Sequence, residues 1–378
     1  MPAFDGLRTY LRTICASGHV PGAVFRLSRD GEPLFFEAHG FSNVDTGRAM
    51  RTDALFRVKS MTKLVTTLAV LRTVEAGRLG LLEPLARYLP AFANPRVLRD
   101  DGQEVHYSTA GRPITIYDLM THTSGMTYGQ GHPIVTRHYK DAGLYFDIDF
   151  KTPLTAQELA ARLATLPLAF EPGTRWAYSW GSDVLGAVLE IIHDAPLDTV
   201  FADTVLGPLG LESTSFRPGA RAQDRLVQIP RHHKILTHEG DSGEQEDFLS
   251  GGEGLTSTAE DWGRLVDHVL SLRRNPGIIS RHTAGYMLSD HIGRLRMEPG
   301  FPLQPAYSYA MGVYTRVQPG LSTAPAAVGE FGWWGSWGTA FWGDPANRIA
   351  GVLMMQRPDE SREIIESVKF LSYSALDY

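Results

Sequence analysis

Cysteine occurs once in the 378 residues, at Cys15, which excludes an internal disulfide and any cysteine-built metal centre. The spacing around it makes Cys15 a small core residue of a first helix. Lysine is nearly as scarce, at positions 59, 63, 140, 151, 234 and 369 only, and the formal net charge is −6. No basic stripe is left to meet a nucleic-acid backbone. No apolar run reaches membrane-spanning length, and the stretch from Met1 to Ala16, interrupted by Arg8 and Arg12, lacks the apolar centre of a signal peptide. The chain is therefore expected in the cytoplasm. Thirteen histidines are present, most closely grouped at His232, His233 and His238, but without a His-Glu-x-x-His helix or comparable ligand spacing. That group reads as a polar loop, and neither a metal nor an organic cofactor is expected. There is no internal repeat and no low-complexity tract.

What is present has the proportions of a globular protein, 43% apolar and 21% charged, long enough for a two-lobed unit around a sizeable core. Phe4, Leu7, Leu11 and Ile14 give a helix period that Gly18 stops. The period then changes to that of strands. Gly22 to Ser28 and Pro33 to His39 flank Arg29-Asp30-Gly31-Glu32, an Asp-Gly hairpin. From about residue 90 to 290 helices dominate, at Thr115 to Thr121, Thr155 to Leu166, Ser182 to His193 and Thr258 to Leu272. Gln130 to Lys151 and Val227 to Phe248 read as long loops beside a cleft. Strands return at Ala310 to Val317, Gly338 to Gly343 and Ile349 to Gln356, and a helix from Glu363 to Ala375 closes the chain. The expected fold is α+β, with residues 1–89 and 291–378 sharing an antiparallel sheet flanked by helices. Residues 90–290 form a mainly helical inserted domain, with the active site in the cleft between the two.

The chemistry-bearing stretch is Phe56-Arg-Val-Lys-Ser60-Met-Thr-Lys63, which runs into the apolar segment Leu64 to Leu71. Residues three apart share a helix face, so Lys63 Nζ reaches back to Ser60 Oγ, an amine beside a hydroxyl nucleophile. Lys63 is the only lysine with a serine three residues before it. Met61, Leu64, Val65, Leu68, Ala69, Leu71 and Val74 leave that helix little polar face, so a lysine near its start calls for a reason.

Four further segments complete a pattern. These are Ile114-Thr-Ile-Tyr-Asp-Leu-Met-Thr-His122-Thr-Ser-Gly125, Phe170-Glu-Pro-Gly-Thr-Arg-Trp-Ala-Tyr178-Ser-Trp180, Ser250-Gly-Gly-Glu-Gly-Leu-Thr-Ser-Thr and Gly332-Trp333-Trp334-Gly335-Ser336-Trp337-Gly338. Over nearly its whole length the chain resembles the serine β-lactamase and penicillin-binding-protein superfamily, in particular family VIII carboxylesterases and class C β-lactamases, whose Ser-x-x-Lys element is matched by Ser60 to Lys63. The resemblance implies a β-lactamase-like fold, Ser60 as nucleophile, and Lys63 and Tyr178 as the groups that move its proton. It places Trp333 where lactamases carry the lysine of Lys-Thr-Gly. Ser336 then supplies, with Ser60, the backbone N–H groups of an oxyanion hole; a register one residue later would give that duty to Trp337. Trp180 stands where the family usually has asparagine. Trp333, Trp334 and Trp337, interleaved with Gly335, are expected with Trp180 to wall the substrate site. Trp334-Gly-Ser-Trp-Gly approaches a Gly-x-Ser-x-Gly elbow, but its first glycine is missing and no parallel βαβ pattern surrounds it.

The resulting expectation is a serine hydrolase that cleaves small-molecule carboxylic esters through an acyl-enzyme on Ser60. An acyltransferase, an amidase or D-peptidase, and a weak β-lactamase would use the same residues. A catalytically silent binding protein on the scaffold is the alternative outside enzymes, and the intact Ser60, Lys63 and Tyr178 argue against it.

Overall fold

The computed structural model describes residues 4–145, 155–229, 248–293, 295–297, 303–357 and 361–376. The long polar stretch around His232, His233 and His238 falls outside them, as does the end of the Gln130 to Lys151 segment. Asp30 (φ 54°) and Gly31 (φ 87°) both occupy the left-handed region that a two-residue hairpin demands, and they join Gly22–Arg29 to Glu32–Asn43. That hairpin is half of the link between the chain ends. Gly22–Arg29 pairs on its other side with Ile349–Met355, from Ala23 opposite Met355 to Arg29 opposite Ile349.

The resulting eight-stranded sheet runs Tyr307–Tyr309, Tyr314–Arg316, Phe331–Trp334, Ala340–Asp344, Ile349–Met355, Gly22–Arg29, Glu32–Asn43, Arg48–Ala49. Among the described residues its strand pairings are all antiparallel. The central strands are buried along nearly their whole length because helices cover both faces. On one side Leu7, Leu11 and Ile14 of the helix Asp5–Ala16, with Ile364 and Val368 of the helix Arg362–Ala375, join Phe25, Leu27, Phe35, Trp342, Leu353 and Met355 in one cluster. On the other side lie Ala259–Ser271 and the site-bearing helix Thr62–Glu75, which is buried without a break from Thr62 to Leu71.

The helix Ala259–Ser271, placed by sequence in the 90–290 insert, lies against the sheet. Trp262 meets Phe341 with ring centroids 6.0 Å apart, and the buried Arg26 guanidinium bridges Glu260 at 3.2 Å and Asp267 at 2.9 Å. Its apolar stripe needs a flat apolar partner, and the sheet face supplies one however far apart the two lie in sequence. Two expectations change. Ala310 to Val317 is not one strand: Gly312 (φ 72°) bends the chain into the hairpin of Tyr307–Tyr309 with Tyr314–Arg316. Within Gln130 to Lys151, Pro133–Asp141 forms a short helix that His132 caps by accepting the N–H of Ile134. Its buried residues Val135 and Tyr139 are a single i, i+4 pair, too short a signal for periodicity to register.

Candidate active site

Ser60 sits at a junction. The short strand Phe56–Arg57 ends, Lys59 takes a left-handed conformation (φ 49°), and a 3₁₀ turn over Lys59–Met61 feeds the helix Thr62–Glu75. A lysine in that region is uncommon, and the kink it imposes leaves Ser60 half-buried while the next turn is fully covered. Lys63, fully buried, has its Nζ 3.4 Å from Ser60 Oγ and donates to the Gly252 carbonyl at 2.9 Å. The same Nζ lies 4.7 Å from the ring centroid of Tyr178 and 5.8 Å from that of Tyr128. The three residues expected to carry the chemistry are thus brought together, with Tyr128 as a fourth neighbour.

Tyr178 is held by the His-Thr-Ser-Gly segment. The helix Ile116–Met120 begins with a capping box between Thr115 and Asp118 and is followed, after Thr121, by His122 at φ 56°. From there the chain is stitched to the segment carrying Tyr178. The His122 carbonyl accepts the N–H of Ala177 at 3.0 Å, that of Thr123 accepts Gly173 at 2.7 Å, and that of Gly125 accepts Ala169 at 2.8 Å. A Cβ on Gly125 would stand 2.3 Å from the Phe170 carbonyl oxygen, so only glycine fits there. His122 Nδ1 is 2.9 Å from Ser179 Oγ, and its ring lies 5.0 Å from that of Tyr178. Burial, helped by the charge of Lys63, holds this imidazole well below its ordinary pKa. It is therefore a neutral brace under the tyrosine at neutral pH.

Gly335 joins the tryptophan-rich strand to the Ser60 turn. A Cβ there would lie 2.4 Å from the Val58 carbonyl oxygen and 3.2 Å from Lys59 Cβ, so the end of Phe331–Trp334 abuts the chain two residues before Ser60. Ser336 follows, exposed, in the turn. Trp337 is half-buried, with Lys59 Nζ 4.6 Å from its ring centroid, and Lys59 in turn pairs with Glu253 at 3.2 Å.

The tryptophans do not form a single exposed wall. Trp333 is 1% exposed and stacks on Trp334 with centroids 4.8 Å apart, while its indole N–H donates to Tyr178 Oη at 3.2 Å. Trp180 is 3% exposed and packs against Tyr128 at 4.8 Å. These two lie buried against Tyr178 and Tyr128. Trp334 and Trp337 keep exposed surface. Sequence reasoning missed Tyr128, which lies in an aperiodic loop directly after the His-Thr-Ser-Gly segment, and Tyr309, whose ring is 5.1 Å from His122 and 5.3 Å from Trp333. Among the described residues no group of three or more His, Cys, Asp or Glu could hold a metal ion, and no helix is long and apolar enough to cross a membrane.

A buried helix between a mixed-connectivity antiparallel sheet and a helical layer, with a Ser-x-x-Lys pair facing a tyrosine, defines the β-lactamase-like class. The chain belongs to the Beta-lactamase family, whose model matches residues 7–369. Esterase EstB of Burkholderia gladioli is 32% identical over 356 residues, covering 88% of this chain and 85% of that protein. Lovastatin esterase of Penicillium rubens is 29% identical over 367 residues, covering 90% of each. Among solved structures, EstCE1, described as a hydrolase with promiscuous acyltransferase activity, superposes with a TM-score of 0.82 at 25% identity, covering 99% of this chain and 98% of its own.

Proposed function

We propose that the protein is a serine hydrolase of the family VIII carboxylesterase type, cleaving small-molecule carboxylic esters through an acyl-enzyme. The observation that carries this reading is the single Lys63 amine set between Ser60 Oγ and the Tyr178 ring, in a chain similar over most of its length to two proteins named as esterases. Ser60 Oγ attacks the ester carbonyl while its proton passes to the Lys63–Tyr178 pair, which returns it to the departing alkoxide. Water then repeats the sequence on the acyl-enzyme, with the same pair as base. The backbone N–H groups of Ser60 and Ser336 receive the oxyanion, each such donor being worth about 3 kcal/mol in a transition state. The onset of the Ser60 helix adds its positive end. No step calls on a metal or organic cofactor. We place the reaction in the cleft between the sheet lobe and the helical lobe, and the protein in the cytoplasm.

A second reading, acyl transfer to an alcohol instead of water, draws support from the likeness to EstCE1. It shares every step up to the acyl-enzyme. The test of the common part is hydrolysis of p-nitrophenyl acetate and butyrate by the parent and by Ser60→Ala. Release of p-nitrophenol that vanishes in the variant is expected; turnover surviving in Ser60→Ala would refute the assignment. Adding a primary alcohol and measuring the ester formed separates the two readings.

A further inference from the structure

Asp183 is a buried carboxylate that the mechanism above leaves unused. It lies five residues after Tyr178, in the first turn of the helix Gly181–His193, and is 1% exposed. Its Oδ1 accepts the hydroxyl of Ser250 at 2.5 Å and the N–H of Gly252 at 3.1 Å. Its Oδ2 is buried and has no hydrogen-bond partner among the described residues. A Cβ on Gly252 would stand 2.5 Å from Oδ2, so the glycine allows the carboxylate to lie flat against the turn. Gly252 is also the residue whose carbonyl holds Lys63 Nζ at 2.9 Å. The two backbone groups of one residue therefore connect a buried acid to the buried amine. Leaving one oxygen of such an acid unpaired costs free energy.

Resting on the reading of Lys63 as the amine that serves Ser60, we propose that Asp183 is the positioning residue of Lys63: it fixes the Gly252 carbonyl on the amine and supplies a buried counter-charge. Among the described residues Lys63 has no carboxylate within ion-pair distance, so its electrostatic partners act from one link away. From the glycine turn Glu253 faces it, partly committed to Lys59. From the other elements come His122, held neutral by burial, and the rings of Tyr128 and Tyr178. Asp183 is the carboxylate tied to Lys63 through a hydrogen-bonded chain. Burial pushes its carboxyl above the usual range, with Lys63 and the Ser250 hydroxyl pulling the other way.

The test compares Asp183→Asn with the parent protein, using p-nitrophenyl butyrate from acid to alkaline pH. Asparagine keeps an acceptor for Ser250 and Gly252 and removes the charge. The expected result is kcat down about tenfold or more with KM little changed, the scale of a hydrogen bond to a charged group. The ionisation limb of the pH–rate profile should move to lower pH, because a base that loses a negative neighbour gives up its proton more readily. A parental kcat, or a loss of activity with an unmoved limb, overturns the inference. Should Asp183→Asn fail to fold, Ser250→Ala carries the test. It removes one donor from the carboxylate, so kcat should fall about threefold at constant KM, and a parental kcat there overturns the inference equally. Ser60→Ala separates the two levels of argument. If it is inactive while Asp183→Asn behaves as the parent, only this inference fails; if it stays active, the reading of the site fails and this inference with it.

Discussion

The indole N–H of Trp333 donates to the phenol oxygen of Tyr178 across 3.2 Å, from a ring that is 1% exposed. An indole can only donate and carries no charge, so this contact fixes the tyrosine oxygen identically at every pH. Trp333→Phe keeps most of the ring packing and removes the donor. It should lower kcat for p-nitrophenyl butyrate about tenfold, the upper end of a neutral hydrogen bond, with KM nearly unchanged. A rise in KM at constant kcat would mean that Trp333 serves substrate binding instead.

Lys63 and Tyr178 are expected to act as one unit, since Nζ lies 4.7 Å from the phenol ring centroid and the proposed mechanism has both handle the proton of Ser60. Lys63→Ala and Tyr178→Phe should each lose at least about a hundredfold in kcat, and the double variant little more. Losses that multiply would contradict a shared proton path.

His122 makes the fold sensitive to acid. Its imidazole is held well below the ordinary value by burial and by Lys63. Above about pH 6.5 both folded and unfolded forms are neutral there and its contribution is fully present. Below that pH the unfolded chain takes up a proton that the folded one refuses, so stability falls by up to about 1.4 kcal/mol per pH unit. His268 and His291, also lowered by burial, act in the same direction. Urea unfolding at about pH 7.5 and about pH 5.5 should show the parent losing stability, and His122→Asn, which tolerates the left-handed backbone, losing about 1 kcal/mol less. Equal losses would show that another group carries the effect.

The residues with local signatures were readable before the fold was known. Ser60 and Lys63 share a helix face by spacing alone, and Asp30-Gly31 gave the hairpin that starts the sheet. The His-Thr-Ser-Gly segment could be recognised but not explained, because its use lies in carbonyls that accept from Ala169, Gly173 and Ala177, some 50 residues away. Tyr128, Tyr309 and Asp183 join the site through packing between elements, which no periodicity encodes. The depth of Trp333 and Trp180 was likewise invisible. A tryptophan beside glycine on a strand reads the same whether it faces substrate or lies buried against a tyrosine.

β-Lactams should be poor substrates. The family resemblance would put Trp333 where lactamases carry a cation for the β-lactam carboxylate and Trp180 where they carry an amide, and both are buried aromatics here. A ligand that needs a charge-assisted hydrogen bond typically forfeits about 1.5–3 kcal/mol without it, while Trp334 and Trp337 offer apolar surface to an ester. The comparison is kcat/KM for nitrocefin against p-nitrophenyl butyrate. Parity between the two would contradict this account of specificity while leaving the nucleophile in place.

The central claim is that Ser60 becomes covalently acylated, and intact-mass spectrometry after treatment with a p-nitrophenyl alkylphosphonate reads this directly. One phosphonyl adduct per chain is predicted, mapping by peptide analysis to the segment containing Ser60 and absent from Ser60→Ala. An adduct on Ser336, or an unmodified chain whose esterase activity persists, would contradict it.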